Sequence, residues 1–108
     1  RNLSMIILYR PSTNKVIWKG SGSFFHQHDV NVMDDSRISI FNNNAKTFKN
    51  GFLVDGFNEM VTYDFESDKY SSYLKSSFQK YEIKTATGGR GKVLKDGSLF
   101  VKRLNLAV

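Results

Sequence analysis

The chain has 108 residues and a mass of 12.4 kDa, 40% of them hydrophobic and 14% aromatic. That is enough apolar material for one core, too little length for two ordinary domains, and a composition outside the disordered class. It has no cysteine, which excludes disulfide staples, thiolate metal sites and cysteine nucleophiles, and no apolar run approaches the roughly 20 residues that span a bilayer.

In chain order the pattern is β throughout. Ser4 to Tyr9 is a short apolar run closed by the turn cluster Pro11-Ser12-Thr13-Asn14, and Lys15 to Lys19 reads as its return strand, ended by Gly20-Ser21-Gly22. Asp29 to Met33 alternates apolar and polar residues, turns at Asp34-Asp35-Ser36, and alternates again over Arg37 to Phe41, a hairpin signal. Asn42-Asn43-Asn44 opens what reads as a long loop to about Gly56. Strands resume at Glu59 to Tyr63, turn at Glu66-Ser67-Asp68, and continue over Tyr70 to Leu74 and Gln79 to Lys84. The glycine-rich loop Thr87-Gly88-Gly89-Arg90-Gly91 precedes a last hairpin, Lys92 to Leu94 and Ser98 to Val101, turning at Lys95-Asp96-Gly97. Lys69 to Lys80 is ambiguous, but no segment shows a helical period, so no helix is expected.

Charge does not redirect this reading. The 16 Lys plus Arg and 10 Asp plus Glu give a net charge of +6, yet the cations are scattered among acids without a run of three. In Tyr81-Glu82-Ile83-Lys84 and Lys92-Val93-Leu94-Lys95 they stand beside apolar residues, as on solvated strand faces. No nucleic-acid partner is therefore expected, and attraction of a small anion stays compatible.

Internal similarity gives the architecture. Met33-Asp34-Asp35-Ser36 with Arg37 to Phe41 matches Leu94-Lys95-Asp96-Gly97 with Ser98 to Val101, and Met5 to Tyr9 with Ser12 to Lys15 matches Met60 to Tyr63 with Glu66 to Lys69. The copies lie roughly 55 to 61 residues apart, the period of a four-stranded propeller blade. The expectation is an all-β chain of antiparallel four-stranded blade repeats, a β-propeller fragment, with residues 1–56 as one blade-like repeat and 57–108 as the next. Two blades leave open faces, so the chain, which begins at Arg1 without a basic-then-apolar leader, is read as an excerpt of a longer protein or as a self-associating piece.

Few residues are candidates for chemistry. His26 and His28 flank Gln27, and on an extended chain residues i and i+2 share a face, so both imidazoles are expected to point the same way. Two histidines alone fall short of the three or four ligands of a metal site, and no metal or cofactor is expected. A histidine serves as a general base or as a nucleophile that carries a transferred group. Asp29 neighbours His28 on the opposite face and is not placed to orient its ring. The amides of Asn42, Asn43 and Asn44 are able to donate to anionic oxygens, and Arg90 with its flanking glycines to hold a sulfate or phosphate, although turn-forming asparagines and a plain inter-strand loop account for both. No phosphate-loop Lys-Ser/Thr follows. Trp18 reads as a core side chain.

Taken together, Trp18-Lys19-Gly20, Gln27-His28-Asp29-Val30 and Ile38-Ser39-Ile40-Phe41-Asn42-Asn43-Asn44 resemble the bacterial arylsulfate sulfotransferase family, and Gly89 to Val101 is similar to the blade that follows in those proteins. The resemblance covers about residues 5 to 101, about a third of a full family member. It implies a six-bladed propeller and a two-step sulfuryl transfer from an aryl sulfate to a phenol, with His28 transiently sulfated and Gln27, Asn43 and Arg90 as substrate contacts. The family's other active-site histidines and its sulfate-binding arginine lie in earlier blades, so this chain alone is expected to be incomplete and inactive. Asn42 stands where the family has an aspartate, and the tail Lys102 to Leu106 departs from the family's continuation. Family members are exported, which implies a periplasmic or secreted protein. The alternative is a non-catalytic β-module that forms a homo-oligomer, three copies completing six blades.

Overall fold

The computed structural model describes residues 3–48 and 51–102; the departing tail beyond Lys102 lies outside them. Ten strands and one short helix follow one another: β1 (Met5–Arg10), β2 (Lys15–Ser21), β3 (His28–Val32), β4 (Arg37–Asn42), β5 (Ala45–Phe48), β6 (Gly51–Val54), β7 (Glu59–Asp64), β8 (Lys69–Tyr73), α1 (Lys75–Lys80), β9 (Arg90–Val93) and β10 (Leu99–Lys102). All pairings are antiparallel, so the all-β reading holds. No helix among the described residues is long and apolar enough to cross a membrane.

A four-stranded sheet in the order β3-β4-β7-β8 forms the middle of the molecule. Its inner strands explain the near-continuous apolar run of β4: both faces are covered, so alternation sends residues to two cores rather than to core and solvent. On one face Ile40 lies opposite Val61 and packs with Phe24, Ile6, Ile38 and Tyr70. On the other, Phe41 lies opposite Met60 and packs with Phe78 of α1 and with Val93, Leu99 and Val101 of the β9–β10 hairpin.

The internal similarity is a similarity of hairpins. In β1–β2 and β7–β8 a tyrosine hydroxyl donates across the turn, Tyr9 to Asn14 Oδ1 and Tyr63 to Asp68 Oδ1, each at 2.5 Å. Both acceptors sit in the left-handed region that Asn and Asp tolerate best, with φ 52° and 55°. In β3–β4 and β9–β10 an aspartate turn does the same work. Asp34 and Asp96 accept from the N–H groups of Ser36 and Ser98, at 3.1 and 2.9 Å. The flanking Met33 and Leu94 N–H groups donate to Arg37 O and Ser98 O. Position 56 falls between β6 and β7, and the four-stranded sheet draws a hairpin of each kind from its two sides. The outer hairpins β1–β2 and β9–β10 stand as two-stranded sheets. Thus β1, the counterpart of β7, and β10, the counterpart of β4, are both edges.

Two segments differ from expectation. Residues 75–80 form a helix where none is expected, and 81–84, the rest of the expected strand Gln79 to Lys84, are turn and irregular chain; at six residues the helix is too short to show a period, and burial of Phe78, 1% exposed, in the second core sets its conformation. The stretch after Asn44 is a hairpin, β5–β6, rather than a loop. Asn44 Nδ2 donates to Asp55 O and Lys46 pairs with the Asp55 carboxylate at 2.7 Å, so polar groups stitch a hairpin that the apolar pattern does not announce.

Candidate functional site

The site is organised by an irregularity in β3. The register pairs His28 with Phe41 but Val30 with Ile40, so Asp29 is an extra residue, a bulge, with φ 52°. Directly paired residues share a face. The bulge therefore turns His28 onto the face of Phe41, while Val30 faces the side of Ile40. The left-handed conformation costs roughly 1 kcal/mol or more, and a bond offsets it: the Asp29 carboxylate accepts the N–H of Gly91 at 3.0 Å. Asn31 Nδ2 donates to Gly91 O at 3.2 Å, so β9 is tied to β3 on both sides of one glycine.

Asn43 lies just beyond β4, on the same side as Phe41, and its Oδ1 stands 2.6 Å from Nδ1 of His28. It is fully buried, and its Nδ2 donates to Thr85 O at 2.9 Å and to Gly88 O at 2.7 Å. Asn58, also buried, closes the arrangement from just before β7. Its Nδ2 donates to Asn43 O and Thr85 O at 2.7 and 3.0 Å, and its Oδ1 accepts from Thr85 N at 2.7 Å. The glycine-rich loop closes onto this network; Gly88 and Gly89 have φ 71° and 101°, and a Cβ on Gly89 would stand 2.6 Å from the Phe41 ring. Only glycine permits both the conformation and the approach.

The expected site residues are thus dispersed in role. His28 is half-buried with Nδ1 engaged by Asn43. Gln27 is buried; its Nε2 donates to Met5 O at 3.0 Å and its Oε1 is buried without a partner. Arg90 is exposed on β9 beside Gly91, and its guanidinium has no ion pair or hydrogen bond among the described residues. Asn42 turns the other way, its Oδ1 accepting from the N–H groups of Phe25 and Asn44. His26 and His28 do not share a face by simple alternation, because His26 is itself left-handed at φ 53° and the chain there is not extended. Trp18 packs as expected of a core side chain, 4.8 Å from Tyr63 and 5.0 Å from Phe65 between ring centroids. Sequence reasoning missed Asn58 and Thr85: their partners lie 15 to 42 residues away, and a single Asn or Thr in an apparent loop carries no local sign of burial. Among the described residues no three His, Asp or Glu side chains gather as a metal site.

The comparisons bear on this geometry. No curated protein and no solved structure matches the chain. The family model described as Arylsulfotransferase (ASST) matches residues 1–107, which takes in His28, Asn43, Asn58 and the glycine-rich loop. The chain belongs to the arylsulfotransferase family.

Proposed function

We propose that this chain contributes the sulfuryl-accepting histidine of an arylsulfotransferase, and that His28 is that residue. The observation that carries the reading is the buried Asn43 amide 2.6 Å from His28 Nδ1, which leaves Nε2 as the ring atom available to a substrate. In the first half-reaction the Nε2 lone pair attacks the sulfur of an aryl sulfate; the N–S bond forms as the S–O bond to the aryl group breaks, and the phenolate leaves with that electron pair. In the second, the oxygen of an acceptor phenol attacks the sulfur, the N–S pair returns to Nε2, and the phenolic proton passes to solvent. Arg90, through its unpaired guanidinium, is the proposed substrate contact; Gln27 gives its Nε2 to Met5 O and keeps only a buried acceptor, Oε1, with no hydrogen for a sulfate. Both amide hydrogens of Asn43 are donated to backbone carbonyls, so its part is played through His28. The test is incubation with a nitrophenyl sulfate followed by mass spectrometry of the His28 peptide. A single added SO3 unit on His28, absent in His28→Ala, is the expected result; an unmodified peptide in the presence of every blade the family requires overturns the reading.

A second reading, self-association, is favoured by the free strand edges. Apolar side chains on β1 and β2 stand half-exposed: Ile7 52%, Leu8 45%, Val16 46% and Ile17 46%. Because β10 and β1 are the counterparts of β4 and β7, β10 of one copy fits against β1 of the next as β4 fits against β7. Three copies then supply three internal and three shared four-stranded sheets. Native mass decides: a discrete trimer supports the reading and a monomer at high concentration overturns it.

A further inference from the structure

We infer that Asn43 is a positioning residue that holds His28 as its Nδ1–H tautomer and thereby fixes Nε2 as the atom bearing the lone pair. The assignment follows from counting donors and acceptors. The side-chain amide of Asn43 presents one end to the His28 ring and the other to two carbonyl oxygens, Thr85 O at 2.9 Å and Gly88 O at 2.7 Å. Only the NH2 end satisfies two acceptors, so the end facing the ring, at 2.6 Å, is the oxygen. An amide oxygen has no hydrogen to give; the hydrogen between the two groups therefore belongs to Nδ1.

Asn58 makes the arrangement rigid. It holds the main chain of Asn43 and both backbone polar groups of Thr85, and Thr85 O accepts from both asparagines. Rotating the Asn43 amide would set its oxygen against two carbonyls and its NH2 against the ring, at a side chain that is fully buried. The tautomer so imposed is the opposite of the Nε2–H form that a free neutral histidine prefers. The kinetic part of this inference rests on the proposed role of His28: as Nε2 forms its bond to sulfur the ring gains positive character, and the Nδ1–H to Oδ1 bond strengthens with it.

The experiment is nitrogen-15 NMR of the His28 imidazole in the full chain, which needs no substrate. The expected spectrum shows a protonated Nδ1 with a downfield, exchange-slowed proton and an unprotonated Nε2; a His28 carrying its hydrogen on Nε2 overturns the inference without any variant being made. In Asn43→Ala, checked for folding by circular dichroism, the Nε2–H form gains population; an unchanged tautomer in a folded variant also overturns it. In an assembly competent for transfer, Asn43→Ala lowers kcat on the order of 100-fold with KM little changed. Absence of sulfuryl transfer with the tautomer as expected refutes the proposed function and leaves the positioning intact.

Discussion

The hairpins β1–β2 and β7–β8 are built alike and live differently. Each closes on a tyrosine bonded to a left-handed Asn or Asp five residues on, yet Tyr9 is 45% exposed and Tyr63 only 3%. The difference is the neighbour. β7 has β4 along one edge and covered faces on both sides, whereas β1 pairs with β2 alone and is anchored by Ile6 in the first core and by Trp18 against Tyr63 and Phe65. Local chemistry forms the turn; the depth of burial is decided by what packs against the finished hairpin.

Matched substitutions turn this into measurement. The largest expected contrast is between Asn58, just before β7, and its counterpart Ser4, just before β1. Removing Asn58 strands Asn43 O and Thr85 N and takes one of the two donors from Thr85 O, so Asn58→Ala costs about 2–4 kcal/mol in urea unfolding. Ser4 accepts one partly buried N–H, from His26 at 3.2 Å, and Ser4→Ala costs below about 1 kcal/mol. Equal losses would mean that the network holds the fold no better than a loop contact. Next come Val61→Ala and Ile7→Ala. Val61 is 2% exposed and Ile7 52%, so truncation costs about 2 kcal/mol at the first and under about 1 kcal/mol at the second; loss of the native mass of an assembly in Ile7→Ala would show instead that β1 is covered in solution.

Two smaller effects follow from ionisation. The Asp68 carboxylate accepting its hydroxyl, with burial second, holds the Tyr63 phenol above its ordinary range. Its contribution to stability is complete below about pH 10 and is lost as pH rises through the raised value; Asp68→Asn brings the phenol's absorbance titration down. At the other end of the scale the Arg37 side chain, then the Ser36 N–H, hold the Asp34 carboxylate below its ordinary range, and the Ser98 N–H does so for Asp96. These turns contribute fully above about pH 4 and lose their contribution as pH falls through the lowered values, a small drop in the urea midpoint that Asp34→Asn reduces to the share of Asp96.

Much of this was legible from residue order. Alternation and turn chemistry mark β1 to β4, β7, β8 and the last hairpin, but alternation over Arg37 to Phe41 marks an ordinary hairpin strand, and that both faces of β4 are covered follows only from its neighbours. His28 and Asn43 stand out as polar residues at the ends of paired strands, but not as partners. Their meeting depends on the bulge at Asp29, and no residue type announces a bulge. The α1 turn was hidden because a single buried Phe78 sets it, and β5–β6 because its closure is polar. Asn58 and Thr85 were hidden because their significance is wholly long-range.

The bulge at Asp29 carries a last consequence, one of parity. Side chains along a strand alternate between two sides, so the side a residue takes depends on whether an odd or even number of positions separates it from a fixed point. Counting back from Val30, an uninterrupted β3 would deliver the same histidine into the oily layer around Ile40, on the side away from Asn43. One inserted position reverses the count. Straightening the strand with every residue kept would deliver His28 to the wrong side of the sheet, whereas loss of the Asp29 codon would set His28 directly before Val30 and still on the side of Phe41, at the cost of the bond to Gly91.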